Sequence, residues 1–83
     1  MQVFVKPTNL VVNNKIMNTL TFELNENELV SSLIEKIKSR LNLDFHMYLI
    51  YGGKCLEGNR KISNYYIRKE STILMNVKPK FSI

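Results

Sequence analysis

His46 and Cys55 are the two side chains in this sequence whose types could supply a base and a nucleophile. A thiol becomes reactive when an imidazole sits within hydrogen-bond reach of it. Here His46 lies just past a helix-like segment and Cys55 follows a glycine pair, and nothing in their spacing brings them together. One histidine and one cysteine also cannot close a zinc site, which normally takes four ligands. Gly52-Gly53-Lys54 places a lysine after two glycines, but it lacks the glycine spacing and the following Ser or Thr of a phosphate-binding loop. The carboxylates are scattered, with no pair in an apolar setting to separate their proton affinities. These residues predict no enzyme, no metal and no cofactor. Gly52-Gly53 reads instead as a turn, Cys55 as a surface thiol and His46 as a loop histidine.

Eighty-three residues make one domain. A chain this short must pack efficiently, because it hides only about 60–65% of the surface that its unfolded form exposes. An apolar content of 45% is ordinary for a globular protein and argues against disorder. The single cysteine cannot form an internal disulfide, which suits a reducing cytoplasmic or nuclear setting. No apolar run approaches the ~20 residues of a membrane span, and no signal-peptide pattern follows Met1. The net charge of +5 attracts acidic partners without identifying one. Nucleic acid is not an expected partner, because no recognition motif surrounds Lys54, Arg68, Lys78 and Lys80. The chain is expected to be monomeric.

The elements that must hold these residues follow from periodicity. Met1, Val3 and Val5 alternate with Gln2, Phe4 and Lys6, and Leu20, Phe22 and Leu24 alternate with Thr19, Thr21 and Glu23, which gives two strands. Asn13-Asn14 tolerates the positive φ angles of a tight turn, so the two strands form a long hairpin. A two-residue turn there would pair Val5 with Phe22, while the register implied by a family resemblance pairs Val5 with Leu20. Both keep the same side chains on the core face. Val30, Leu33, Ile34, Ile37 and Leu41 trace one face of a helix. Asn27 is the expected N-cap with Asn25 as the alternative. Glu26 and Glu28 would favour the positive end of the helix dipole, Lys38 and Arg40 the negative end. Asn42 would terminate the helix in the left-handed conformation. A third strand runs from Met47 to Tyr51, a short one spans Lys54 to Leu56 and a last one Ile73 to Val77, with a loop or helical turn around Tyr65. The expected fold is α+β, a mixed four- to five-stranded sheet wrapped across one helix, occupying 1–78, with 79–83 as a tail or the start of a linker.

This order of elements, the opening Met1-Gln2-Val3-Phe4-Val5-Lys6, the segment Leu49-Ile50-Tyr51-Gly52-Gly53-Lys54-Cys55-Leu56-Glu57 and the segment Asn64-Tyr65-Tyr66-Ile67-Arg68-Lys69-Glu70-Ser71-Thr72-Ile73 resemble ubiquitin over nearly the whole chain. The resemblance implies a β-grasp fold with an extended first hairpin, since ubiquitin joins the equivalent strands by a loop several residues shorter. It also implies that Tyr65 is a buried loop tyrosine whose hydroxyl meets a backbone amide near Glu57.

The family's usual docking face is a shallow apolar patch on the outer side of the third and last strands. By resemblance its central residue is Ile50, with Gly53 and Lys54 at the adjoining turn and Leu74 outward on the last strand. Asn76 stands where the family has an outward valine. Arg68 and Lys78 would attract acidic partners. The hairpin residue that completes the patch is expected from among Leu10, Val11, Ile16 and Met17, and Phe4 resembles a second contact point. The apolar residues near the hairpin tip could fold back over the sheet edge, form a separate contact surface or pack against a neighbouring molecule. Expected partners are ubiquitin-binding proteins, including the ubiquitin receptors of the proteasome, bound with micromolar or weaker affinity.

The sequence ends Val77-Lys78-Pro79-Lys80-Phe81-Ser82-Ile83, without the slim diglycine tail of conjugated relatives. Conjugation is therefore not expected. The closest likeness in character is the N-terminal domain of a proteasome shuttle factor, part of a larger protein. The alternatives are a diverged leader of a ribosomal or splicing fusion protein, or a modifier whose processed end is absent from this sequence.

Overall fold

The computed structural model describes residues 1–42 and 46–78. The expected tail, 79–83, lies outside these described residues. The elements in chain order are β1 (Gln2–Pro7), β2 (Val11–Val12), β3 (Lys15–Ile16), β4 (Leu20–Glu23), α1 (Val30–Leu41), β5 (His46–Tyr51), β6 (Lys54–Cys55), a 3-10 turn (Ile62–Tyr65) and β7 (Thr72–Lys78). Five strands form one mixed sheet in the order β4-β1-β7-β5-β6, with β1 and β7 parallel and the other pairs antiparallel. Val3, Val5, Leu49, Ile73 and Met75 on its inner face pack with Val30, Leu33 and Ile37 of α1, all fully or almost fully buried. This is the α+β β-grasp arrangement expected from the sequence.

The main hairpin takes the register that pairs Val5 with Leu20, yet Asn13-Asn14 still forms a two-residue turn. Val12 pairs with Lys15 and Val11 with Ile16 in the separate β2–β3 ribbon, and both asparagines have positive φ. The two registers differ by two residues, and Pro7 to Leu10 absorb the difference. Thr8 donates from its N–H and its Oγ1 to the Met75 carbonyl, at 2.9 and 3.0 Å. Asn9 then substitutes its side-chain amide for a strand backbone: Nδ2 donates to the Val77 carbonyl, and Oδ1 accepts from the Val77 N–H, both at 2.8 Å. The base of the extended hairpin is thereby tied to the end of β7.

The start of α1 differs from expectation. The N-cap position is Leu29, not Asn27 or Asn25, and it makes no side-chain capping bond. Val30 N–H donates to the Arg60 carbonyl at 2.8 Å and Ser31 N–H to the Gly58 carbonyl at 3.0 Å. Carbonyls of a distant loop thus satisfy amides that a local side chain would otherwise cap. The asparagine does form a local motif, because Asn25 Oδ1 accepts from Asn27 N–H at 2.9 Å. No acidic residue lies in the first turn of the helix. Glu28 instead accepts from Ser32 Oγ at 2.7 Å and Asn25 N–H at 2.9 Å, and pairs with Lys36 at 3.0 Å. The Ser32 hydroxyl first, then the Asn25 amide and Lys36, pull its pKa from 4.5 down to about 2. The other end follows expectation, with Lys38 and Arg40 in the last turn and Asn42 left-handed at φ 52°.

Candidate functional site

Alternation along β5 and β7 sends Leu49, Ile73, Met75 and Val77 inward and Ile50, Leu74, Asn76 and Lys78 outward. Cross-strand pairing sets these outward residues in rows. One row runs Lys6, Leu74, Ile50 and Cys55 across four strands, the next holds Asn76 and Tyr48, and the last Lys78 and His46. Phe4 pairs with Thr72 on the other side of the Lys6 row. Ile50 and Phe4 are half-buried, whereas Tyr48 and Leu74 are among the most exposed large apolar side chains of the sheet. The centre is therefore apolar, and the rows from Phe4 to Lys78 carry Lys6 and Lys78 but no carboxylate.

The structure brings Ile50 and Leu74 together as direct cross-strand partners. Gly53 completes the β5–β6 turn with Gly52, at φ 75° and 60°, values suited to glycine in a two-residue hairpin. Lys54 pairs with Tyr51 rather than Ile50, so it stands at the rim of the face and lines a cleft with Tyr51, Gly52, Asn64, Tyr65 and Tyr66. Cys55 is the residue opposite Ile50, and it is exposed. Arg68 belongs to the turn that enters β7, closed by the Ser71 N–H donating to the Arg68 carbonyl. Lys78 is at the strand's other end, so Arg68 and Lys78 flank the face at opposite ends.

The hairpin candidates divide. Leu10 is 6% exposed and sits in the core, with Met17 half-buried against that core, so Leu10 offers no contact surface. The Met17 N–H donates to the Leu10 carbonyl at 2.9 Å, which holds the two as partners. Val11 and Ile16, their strand neighbours, point the other way and are exposed. Part of the hairpin folds back on the sheet and part of it faces solvent.

Neither Tyr48 nor Cys55 was expected on the docking face from the sequence, although two-residue alternation from Ile50 reaches Tyr48 directly. Tyr65 makes the expected bond, its hydroxyl accepting from the Glu57 N–H at 2.9 Å, but its ring is half-buried against the core rather than buried. His46 and Cys55 stand at opposite ends of the β5–β6 pair, because Cys55 of β6 pairs with Ile50, about 13 Å along β5 from His46. Among the described residues no group of three or more His, Cys, Asp or Glu is placed to hold a metal ion, and no helix is long and apolar enough to cross a membrane.

Residues 8–80 match the model of the ubiquitin family. The chain is 35% identical over 69 residues to Ubiquitin D of Mus musculus, an alignment covering 82% of this chain. It spans 43% of that protein's length.

Proposed function

The chain belongs to the ubiquitin family, and we propose that it is a protein-interaction domain whose outer sheet face docks on ubiquitin-binding proteins, among them the ubiquitin receptors of the proteasome. The observation that carries this reading is the pairing of Ile50 with Leu74 on the solvent side of the sheet, beside Tyr48 and between Lys6 and Lys78. An exposed apolar centre loses unfavourable contact with water when a partner covers it. Cations at its edge speed the approach of an acidic partner and set its orientation. A short amphipathic helix with an apolar stripe and flanking carboxylates fits this chemistry. In this reading the domain forms part of a larger cytoplasmic or nuclear protein and serves as its handle for ubiquitin receptors.

Titrating the isotope-labelled chain with a ubiquitin-interacting helix tests the proposal. Amide shifts should concentrate at Lys6, Tyr48, Ile50 and Leu74. Shifts confined to α1 would refute it.

A further inference from the structure

Beside the outer face, around the β5–β6 turn, lies a separate cleft of about 150 Å³ lined by Tyr51, Gly52, Lys54, Asn64, Tyr65 and Tyr66. Two of its three aromatic walls are fixed. The Tyr51 hydroxyl is hydrogen-bonded to Ser71 Oγ at 3.2 Å, and the Tyr65 hydroxyl accepts the Glu57 N–H. Tyr66 differs from both: its side chain contributes little to the core, and it is 82% exposed, more than any other large hydrophobic among the described residues.

The backbone of Tyr66 is also in an unfavourable region. It terminates the 3-10 turn at φ 57° and ψ 31°, left-handed geometry that glycine or asparagine adopts at lower cost. Three of the five non-glycine residues with positive φ are asparagines, at Asn13, Asn14 and Asn42. Tyr66 instead holds a bulky aromatic ring there and presents it to solvent. Residues held in this geometry cluster at ligand clamps and other functional sites, and folding gains little from a ring that is 82% exposed.

The charge around the cleft selects its occupant. Three phenol rings could attract a cation through their faces, but Lys54 stands in the same lining and opposes one. Lys61 precedes the 3-10 turn, and Arg68 and Lys69 follow it, with Glu70 as the carboxylate next in sequence. The neighbouring carboxylate, Glu57, is already paired with Arg60 at 2.6 Å. A ligand that combines an apolar side chain with negative charge meets both demands. We propose that this cleft is a second recognition site, taking one apolar side chain of an acidic peptide against the Tyr66 ring while a neighbouring carboxylate of that peptide pairs with Lys54.

The test uses two blocked nonapeptides, one with a central leucine among glutamates and one with lysines in their place, each titrated into the isotope-labelled full chain. The acidic peptide should shift the amides of Gly52, Lys54, Asn64 and Tyr66, and the lysine peptide should not. Tyr66→Asn and Lys54→Glu should each weaken binding about fivefold or more. Tyr66→Asn should also melt no lower than the parent, because asparagine suits the left-handed backbone. Ile50→Ala should leave the shifts at Gly52, Lys54, Asn64 and Tyr66 unchanged, which separates the cleft from the outer face. Equal binding of the lysine peptide, undiminished binding by Tyr66→Asn, a lower melting point for that variant, or shifts confined to Lys6, Ile50 and Leu74 would each overturn the proposal.

Discussion

Replacing Asn9 with alanine tests whether a side chain can stand in for a strand. Asn9 gives Val77 both bonds that a neighbouring backbone would supply, each 2.8 Å long. A neutral hydrogen bond contributes a net ~0.5–1.5 kcal/mol, and a buried group left unpaired costs more than that. Val77 is itself buried, but Asn9 is exposed, so water replaces part of what the substitution removes. The expected cost is about 1–2 kcal/mol. With an unfolding entropy of ~170 cal/mol/K for a chain of this length, the melting temperature should fall by about 6–12 °C. The local signature is sharper. Exchange of the Val77 amide with deuterium should accelerate strongly, while the Leu49 amide in the centre of the sheet follows only the global change. Asn9→Asp should also destabilise: it keeps an acceptor for the Val77 N–H but sets a carboxylate oxygen against the Val77 carbonyl. An unchanged melting temperature with unchanged exchange at Val77 would refute the reasoning and free the hairpin from β7.

Tyr65→Phe keeps the ring but removes the acceptor for the Glu57 amide, and should cost about 1–2 kcal/mol. An unaltered midpoint in urea denaturation would contradict that. Because the pKa of Glu28 is lower in the folded chain than in the unfolded one, its contribution is complete above about pH 5 and disappears as the pH falls toward 2. Solvent reaches about a quarter of this side chain, so screening reduces the contribution to about 1–2 kcal/mol. Glu28→Gln should therefore lower stability near pH 7 and flatten the acid limb of a stability–pH curve; parallel curves for the two proteins would show that the carboxylate carries no such weight.

Local patterns revealed most of the architecture. Alternation in β1, β4, β5 and β7 and the apolar stripe of α1 act over a few residues, and each appeared where periodicity placed it. Asn42, Asn13 and Asn14 took positive φ for the same local reason. The readings that failed depended on distant partners. Asn27 did not cap α1, because carbonyls of Gly58 and Arg60 had already reached the first amides. Leu10 entered the core after Thr8 and Asn9, which leave the alternation of β1 to bond Met75 and Val77 of β7, a contact no local pattern shows. The role of Asn9 was hidden for a related reason, since its partner is 68 residues away in the chain. At the candidate site, alternation identified the outward Ile50 and Leu74, but only pairing of β5 with β6 showed that Cys55, not Lys54, stands opposite Ile50.

The central claim is that the outer face around Ile50 is the docking surface. Its most direct test measures binding of the parent chain, Ile50→Ala and Leu74→Ala to a purified ubiquitin receptor, with a circular dichroism melt of each protein. The account predicts that both variants melt cooperatively as β-grasp domains, and that Ile50→Ala loses binding by about tenfold or more, as expected for a residue central to a small apolar interface. Retention of full affinity by a folded Ile50→Ala would contradict it and place recognition elsewhere on the domain.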